Sequence, residues 1–336
     1  DYQKVVEKSA SEYTKDSKVE TSSIVVEPYT SKILAIIGGK DYASSQFNRA
    51  TQANRQIGST IKPLLYYLAL ENGFTPATTF LCEPTTFKLD DNSTYSPSNF
   101  NDKYAYKDVT LAQAIAVSDN IFAVKTHLFL GTDNLASLIK KFGIKDVKAN
   151  ASLALGTLNT NIYNLANMYN CLASEGKYNH LYTIEKITND AGKVLYQHEQ
   201  EDKQLLEQDS CLELSQLLTS TFNSTFSTYL QATMASYQLD NINACKTGST
   251  DVDNLAVAYN PQVLVASWVG YDDNRKMETA DDKTVAKKTV IDVLNYTNEN
   301  KDVTWYQPTE DLQQIAINPL TGDFDENGTV YWFKKD

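Results

Sequence analysis

The fold is decided by residues 22–63, SSIVVEPYTSKILAIIGGKDYASSQFNRATQANRQIGSTIKP. Two β-branched runs in this stretch, residues 23–26 and 33–37, are separated by a turn-rich spacer, which predicts an antiparallel hairpin. The leucines and tyrosines of residues 59–72 are typical of a buried helix. Pro63 lies in its first turn, where a missing N–H is best tolerated. The chain therefore passes from sheet directly into a buried helix.

The rest of the chain is predicted to be helical in the middle and to return to sheet afterwards. Helical patterns alternate with polar loops from residue 75 to about residue 182, and short β-rich runs joined by turn residues follow. Later strands are expected at residues 241–245, 255–259 and 263–269. A long helix is expected at residues 284–296, and a terminal hairpin at residues 314–318 and 329–333. We divide the chain into a lead-in segment with a short helix (1–20), one large domain (21–306) and a C-terminal extension, a hairpin (307–336).

Composition excludes several classes of protein. The 336 residues are 42% hydrophobic and 21% charged, which is ordinary globular usage, and the formal net charge of -12 repels nucleic acid and anionic lipid. No apolar run is long enough for a membrane helix, and the first ten residues are too polar for a signal peptide. The sequence thus predicts a soluble protein that is either cytosolic or has lost a targeting segment.

The four cysteines show no Cys-x-x-Cys spacing, which argues against a zinc site or a redox pair. We expect Cys82, Cys171, Cys211 and Cys245 to be small buried hydrophobic residues. No metal and no cofactor are predicted.

Ser59 and Lys62 form a Ser-x-x-Lys string at the start of the predicted helix. A serine hydroxyl is a weak nucleophile that needs a base, and a lysine three residues later on a helix lies on the same face. The unpaired N–H groups at a helix start can also hold a developing oxyanion. The pair therefore predicts a lysine-activated serine.

The same string occurs twice more, and context separates these copies from Ser59. Ser137 falls inside an amphipathic helix whose Lys140 faces solvent, so a structural role is expected. Ser174 follows a helical run and precedes Gly176, which favours a C-terminal turn.

Two further strings complete a candidate site. Ser118 and Asn120, in Ser118-Asp119-Asn120, offer a proton-relaying hydroxyl and an amide between helices, although such a string alone is most often a helix cap. Lys246, in Lys246-Thr247-Gly248, ends a strand and adds a positive field, while Gly248 allows close approach of a backbone. The hydroxyls of Thr247, Ser249 and Thr250 can hold a carboxylate, and the Ser249 N–H can complete an oxyanion pair. A solvated strand end is the alternative for this last string by itself.

The order of these three strings is that of class A β-lactamases and penicillin-binding proteins. The opening stretch, including Gln46-Phe47-Asn48-Arg49-Ala50, is similar to transpeptidase domains of bifunctional, class A penicillin-binding proteins. The resemblance extends over about residues 21–275, through residues 75–78, 95–100, 152–156 and 266–275. It implies an α/β (α+β) fold of the penicillin-binding protein/serine β-lactamase type: an antiparallel sheet flanked by helices, with a mainly helical subdomain inserted between the first and later strands.

The resemblance also implies residue roles. Ser59 would attack the carbonyl between the last two D-alanines of a peptidoglycan stem peptide, Lys62 would take its proton, Ser118 would pass a proton to the leaving amine, and Lys246 would stabilise charge. An amine of a second stem peptide would then resolve the acyl-enzyme and form the cross-link. The substrate amide would contact Asn120, and Thr247, Gly248, Ser249 and Thr250 would bind the donor end. The backbone N–H groups of Ser59 and Ser249 would form the oxyanion hole.

β-Lactams are expected to acylate Ser59 as substrate mimics. Many relatives have threonine where this chain has Ser249, but the hydroxyl is retained. Such proteins carry a membrane helix and a glycosyltransferase domain before the transpeptidase, so the chain is expected to be a fragment. Its expected location is the outer face of the bacterial cytoplasmic membrane, attached only through a segment outside this chain.

Alternatives remain within and outside this chemistry. A D,D-carboxypeptidase would use the same residues with water as acceptor, and a class A β-lactamase would add a Glu-x-x-x-Asn loop, matched by Glu175 and Asn179. The context of Glu175 favours a turn between a helix and a strand. A non-catalytic β-lactam sensor or a wall-peptide-binding module is the alternative of another class. None of the three histidines has a local nucleophile partner, so a lysine base fits better than a Ser-His-Asp triad.

Overall fold

The computed structural model describes residues 1–89, 92–201 and 203–335. Its α-helices are α1 (Tyr2–Thr14), α2 (Arg49–Gln52), α3 (Lys62–Glu71), α4 (Leu111–Val117), α5 (Asn120–Leu130), α6 (Thr132–Lys141), α7 (Ile162–Ala173), α8 (Gln208–Leu218) and α9 (Val285–Asn300). Its strands are β1 (Glu20–Glu27), β2 (Lys32–Ile37), β3 (Arg55–Gln56), β4 (Thr79–Leu81), β5 (Phe87–Lys88), β6 (Thr94–Tyr95), β7 (Asp108–Thr110), β8 (Asn159–Thr160), β9 (Lys177–Tyr178), β10 (Lys186–Thr188), β11 (Val194–Gln197), β12 (Lys203–Gln204), β13 (Ala244–Ser249), β14 (Asp253–Asn260), β15 (Val263–Gly270), β16 (Leu312–Ile317) and β17 (Thr329–Lys334).

A five-stranded antiparallel sheet forms the centre of the molecule, in the order β13-β14-β15-β1-β2. The N-terminal hairpin β1-β2 therefore lies beside β15, which follows it only after the helical middle of the chain. This confirms the predicted architecture, in which a mainly helical part is inserted between the first and later strands.

Each face of the sheet is covered by helices. Along β14, Leu255, Val257 and Tyr259 belong to the core that includes α3, α7 and α8, whereas Ala256 and Ala258 belong to the core formed with α1 and α9. This alternation follows from the two-residue period of a strand, which directs successive side chains to opposite faces. The helical part of the chain lies on the first of these faces, and the Lys246 side chain, opposite Val257, points to the same face.

The helix predicted for residues 59–72 begins later than expected. Residues Gly58–Ile61 form one 3₁₀ turn and α3 starts at Lys62. Pro63 has no N–H to donate to the Ser59 carbonyl, which accepts instead from the Lys62 N–H. The candidate nucleophile thus lies in a tight turn at the head of the helix.

The strand predicted at residues 241–245 was placed too early. Strand β13 spans Ala244–Ser249, and Lys246, Thr247 and Gly248 pair with β14 opposite Val257, Ala256 and Leu255. The string therefore lies inside the strand, because the pairing with β14 overrides the weak strand propensity of glycine.

Other predictions of local structure are confirmed. The N-terminal helix, the hairpin of β1 and β2, the long helix α9 and the antiparallel pair of β16 and β17 are all present. All four cysteines are buried and free. Within the described ranges, no helix combines the length and the apolar character that crossing a membrane requires.

Candidate active site

Three glycines bring the Ser59 turn against the end of β13. A Cβ built on Gly58 would lie 2.7 Å from the Ser249 carbonyl oxygen, and one on Gly248 would lie 2.6 Å from the Ile57 carbonyl oxygen. A Cβ on Gly156 would fall onto the Gly58 carbonyl oxygen. Because only hydrogen fits at these positions, the backbones of the turn and the strand approach closely enough to place Ser59 beside Ser249.

The Ser118 corner is a sharp break between two helices. Ser118 has left-handed backbone angles (φ 61, ψ 43) and ends α4, and its N–H donates to Ala114 and Ile115 carbonyls. Asp119 begins α5, where its carboxylate accepts from the Phe122 N–H. The Ser118-Asp119-Asn120 string was predicted to lie between helices. The left-handed backbone of Ser118 makes the turn there, and Lys62 of α3 bonds to this corner.

Lys62 is fully buried and its Nζ is anchored at this corner. It donates to the carbonyl oxygens of Ser118 (2.8 Å) and Asp119 (3.0 Å) and to Asn120 Oδ1 (2.8 Å). Ser118 Oγ lies 3.4 Å away. Burial lowers the pKa of Lys62 to about 7, while the Asp119 charge acts in the opposite direction.

Lys246 reaches the same hydroxyl from the strand. Its Nζ donates to Ser118 Oγ (2.8 Å) and to the Thr247 carbonyl (2.8 Å), and its side chain is fully buried. Burial lowers the pKa of Lys246 well below its ordinary value, and the neighbouring Lys62 lowers it further. Three strings far apart in sequence therefore meet at one oxygen atom.

Ser59 is half-buried at the rim of this cluster. In the part of the chain that the structure describes, its hydroxyl makes no hydrogen bond, and Lys62 Nζ points to the Ser118 corner. The predicted contact between Ser59 and Lys62 on one helix face is therefore absent: Ser59 lies in the 3₁₀ turn before α3, and the Lys62 amine is bonded to the Ser118 corner. A direct bond would require the lysine amine to exchange one of its oxygen partners for Ser59 Oγ.

Asn120 is held by protein at both ends of its amide. Its Oδ1 accepts from Lys62, and its Nδ2 donates to the Ser98 carbonyl at 2.7 Å. An amide nitrogen carries two protons, so one N–H remains for a bound peptide.

Around the end of β13, the predicted carboxylate-binding hydroxyls differ in availability. Thr247 is almost buried, whereas Ser249 is exposed. Thr250 Oγ1 accepts from the N–H groups of Val252 (3.2 Å) and Asp253 (2.9 Å), so this side chain shapes the turn that follows the strand.

Asp119 is a buried carboxylate that the sequence analysis did not single out. Besides the Phe122 N–H, its oxygens accept from Cys82 Sγ (2.9 Å), Asn99 Nδ2 (2.7 Å) and the Tyr229 hydroxyl (2.7 Å). Asn99 Oδ1 in turn accepts from the Asn120 N–H at 2.7 Å. Asp119 itself stands in the Ser118-Asp119-Asn120 string and Asn99 in residues 95–100, but Cys82 and Tyr229 lie in segments without any motif.

The residues of the alternative strings, Ser137, Ser174 and Glu175, lie at positions that indicate structural roles. Ser137 is exposed on α6, and Ser174 follows the end of α7, where its hydroxyl accepts from the Tyr29 N–H at 2.8 Å. The Glu175 carboxylate is held by the Tyr29 hydroxyl (2.7 Å) and by Gln208 Nε2 (2.6 Å). Glu175, the glutamate of the Glu-x-x-x-Asn pattern, thus stabilises the turn that follows α7.

The histidines also have other partners. His127 Nε2 lies 3.0 Å from the Asn150 carbonyl, His180 lies 3.3 Å from the Tyr178 hydroxyl, and His198 stacks on Tyr182. The basic side chains that meet at Ser118 Oγ, next to the Ser59 turn, are lysines. Such an arrangement can deprotonate a serine, relay a proton through a second hydroxyl and carry out acyl transfer.

The chain is similar to known proteins over most of its length. Residues 21–281 match the family model described as the penicillin binding protein transpeptidase domain. The chain is 39% identical over 310 residues to penicillin-binding protein 2D of Bacillus subtilis (strain 168), covering 91% of this chain and 45% of that protein. It is 33% identical over 312 residues to penicillin-binding protein 1A of Aquifex aeolicus (strain VF5), covering 90% of this chain and 41% of that protein. The chain thus spans less than half the length of either relative.

Solved structures show the same fold. Penicillin-binding protein 1A from Haemophilus influenzae superposes with a TM-score of 0.84 at 22% identity, covering 94% of this chain and 53% of that one. PonA1 from Mycobacterium tuberculosis in complex with penicillin V gives a TM-score of 0.77 at 20% identity, covering 92% of this chain and 86% of that one.

Proposed function

This chain belongs to the penicillin-binding protein transpeptidase family, and we propose that it is a D,D-transpeptidase that cross-links peptidoglycan stem peptides through a serine acyl-enzyme. The observation that carries the proposal is the convergence of Lys62 and Lys246 on Ser118 Oγ, next to the Ser59 turn. In the proposed division of the chain, residues 21–306 form the catalytic domain, 1–20 a lead-in segment and 307–336 an extension.

Acylation begins with Ser59. Its Oγ attacks the carbonyl between the two terminal D-alanines while neutral Lys62 takes the hydroxyl proton. The resulting oxyanion receives hydrogen bonds from the backbone N–H groups of Ser59 and Ser249, and the close approach of Gly58 to Ser249 supports this pairing. When the carbon–nitrogen bond breaks, Ser118 passes its proton to the leaving amine and regains one from a lysine. The products are free D-alanine and an ester on Ser59.

Transfer follows the same route in reverse. A primary amine of a second stem peptide attacks the ester, its surplus proton leaves through Ser118 and Lys62, and Ser59 regains its hydroxyl proton. The amide formed is the cross-link. In its protonated form Lys246 stabilises negative charge near the Ser118 hydroxyl, and its pKa is lowered first by burial and then by the neighbouring Lys62.

The donor peptide lies along β13 in this proposal. The Asn120 N–H holds a substrate amide, and Thr247, Gly248 and Ser249 line the terminal carboxylate, with Thr250 shaping the turn beyond them. The same positions receive a β-lactam, which mimics the dipeptide end. A relative of the same fold was solved with penicillin V, which supports this expectation, and an extracytoplasmic location at the bacterial membrane follows from such a substrate.

Mass spectrometry of the penicillin-treated protein tests the proposal directly. We expect one covalent adduct, on Ser59, and no adduct in the Ser59→Ala variant. The Ser137→Ala variant, which alters an exposed serine of the same string, should be labelled normally. An unlabelled wild-type protein, or an adduct elsewhere, would refute the assignment of Ser59.

Release of the adduct separates the alternatives. Slow release supports the transpeptidase, whereas rapid turnover of the drug indicates a class A β-lactamase. Incubation of a D-Ala-D-Ala peptide with an amine acceptor distinguishes cross-linking from carboxypeptidase hydrolysis. A sensor or wall-peptide-binding module would be labelled by penicillin but would release no D-alanine from the peptide.

A further inference from the structure

A polar cleft of about 520 Å³ opens beyond the end of β13. Ser249 and Thr250 form one wall, so the cleft is continuous with the site proposed to hold the donor peptide. Amide side chains, Gln56 and Asn159 among them, line much of the remainder. Amides both donate and accept hydrogen bonds, so these walls suit the backbone of a peptide.

The cleft has an uncompensated negative charge. Of its lining residues, Arg55, Asp251 and Asp253 are charged. Arg55 and Asp253 neutralise each other, since Arg55 Nη2 lies 2.6 Å from Asp253 Oδ1 and Nε donates to both carboxylate oxygens. The Trp268 indole also donates to Asp253 at 3.0 Å. Asp251 is exposed, and its carboxylate makes no hydrogen bond or ion pair with the described residues.

The residues on either side of Asp251 are hydrogen-bonded to one another, which fixes the turn that carries it. Asp251 lies at the tip of the turn between β13 and β14, where the Thr250 N–H donates to the Asp253 carbonyl and Thr250 Oγ1 accepts from Val252 and Asp253. Ser249, two residues earlier, is in van der Waals range of Gly58. Two residues of chain span at most about 7 Å, so the carboxylate is within reach of a peptide attached to Ser59.

We propose that this cleft binds a primary ammonium group of a stem peptide against Asp251. The inference rests on the proposed function, because the cross-linking reaction requires stem peptides that carry a primary amine. The ammonium has two possible sources: the side chain of the donor peptide, which stays attached to Ser59, or the amine of the incoming acceptor. Both sources present the same chemistry to the carboxylate.

Two donors distinguish the sources. Nα-acetyl-L-lysyl-D-alanyl-D-alanine carries a free ammonium, and its Nα,Nε-diacetyl form is the same tripeptide with that charge removed. Release of D-alanine from each donor gives kcat/KM for acylation. Transfer from the diacetyl donor to Nα-acetyl-L-lysine, with hydrolysis as the competing reaction, reports the acceptor. The variants are Asp251→Asn and Asp251→Lys, and Asp240→Asn is the control because Asp240 is an exposed aspartate outside the cleft.

If the donor supplies the ammonium, Asp251→Asn lowers kcat/KM for the charged donor by about two- to fivefold, since an exposed ion pair is weak, and leaves the diacetyl donor unchanged. Asp251→Lys causes a larger loss with the charged donor. If the acceptor supplies the ammonium, only the ratio of transfer to hydrolysis falls.

Equal values for Asp251→Asn, Asp240→Asn and the wild type in both assays would overturn the inference. Normal penicillin labelling of Ser59 in the same Asp251→Asn sample shows that the proposed function survives such a result, whereas an unlabelled wild type would refute that function itself.

Discussion

Lys246 Nζ donates a hydrogen bond of 2.8 Å to Ser118 Oγ, although the two residues are 128 positions apart in sequence. Lys62 approaches the same hydroxyl at 3.4 Å. Both amines are fully buried, and within the described residues neither forms a salt bridge with a carboxylate. Two buried positive charges without such partners are costly, so the arrangement favours a state in which at least one lysine is neutral. A neutral amine is the form that can accept a proton from serine.

The shared hydroxyl gives the first prediction. Ser118→Ala removes the group that links the two lysines, and we expect the second-order rate of penicillin acylation to fall by about 10²- to 10⁴-fold, as is typical for loss of a proton-transfer group. The unfolding temperature should fall as well, because alanine removes the hydroxyl that accepts a hydrogen bond from the buried Lys246, a contribution of about 0.5–3 kcal/mol, so the variant and the wild type are compared at a temperature where both remain folded. Ser137→Ala serves as the control and should react like the wild type. A loss below about tenfold would contradict a relay through Ser118.

The second prediction concerns pH. Burial lowers the pKa of Lys62 to about 7, and only its neutral form can take the Ser59 proton. The acylation rate should therefore be low when the lysine is protonated and should rise with pH through an apparent pKa near 7. Because the two lysines interact, this value belongs to the pair.

Stopped-flow measurement of β-lactam acylation between about pH 5 and about pH 9 covers this transition. The unfolding temperature at each pH controls for loss of structure. A rate that stays constant over the range, or that falls as pH rises through neutrality, would show that the neutral amine of Lys62 is not the base.

The third prediction concerns the support of Asp119. Tyr229→Phe removes one of the donors to this buried carboxylate, and a hydrogen bond to a charged group contributes about 1.5–3 kcal/mol. We expect a loss of that size in the free energy of unfolding, measured in urea. We also expect a lower acylation rate, since Asp119 fixes the corner that holds Lys62.

Tyr163→Phe is the matched control. The Tyr163 hydroxyl donates to the neutral Leu181 carbonyl at 2.8 Å, and a bond between neutral groups contributes about 0.5–1.5 kcal/mol. Its loss should leave acylation unchanged. Equal losses of stability in the two variants, with unchanged acylation in both, would mean that Tyr229 has no part in positioning the corner.

Particular residues show how much of the fold and of the candidate site could be predicted from the sequence. Ser59, Lys62, Ser118 and Lys246 each stand in a short string that chemistry constrains, and the structure brings the last three to one oxygen. The hairpin and α9 were also predicted, because β-branched runs and an amphipathic period are local signals. Such features depend on residues that are neighbours in sequence, so the sequence alone predicts them.

Features that depend on tertiary contacts were missed. Asp119 is surrounded by Cys82, Asn99 and Tyr229, which come from three separate segments. Strand β13 was placed too early, since its register depends on β14 and not on its own residues. The glycine contacts that set the Ser59 turn against β13 were equally invisible, because a close approach between distant backbones leaves no local pattern.

Gly156 gives the fourth prediction. It has a positive φ of +82, and a Cβ there would meet the Gly58 carbonyl of the Ser59 turn, whereas Gly143, with φ +85, has nothing within 4 Å of its Cβ position. Gly143→Ala should cost only backbone strain, about 1–2 kcal/mol of unfolding free energy, and leave acylation intact. Gly156→Ala suffers the same strain and also displaces Gly58, so we expect a further loss of about 1–3 kcal/mol together with a slower reaction of Ser59 with penicillin. Measuring urea unfolding and acylation for both variants separates strain from contact, and equal behaviour of the two would show that the Ser59 turn does not depend on this close approach.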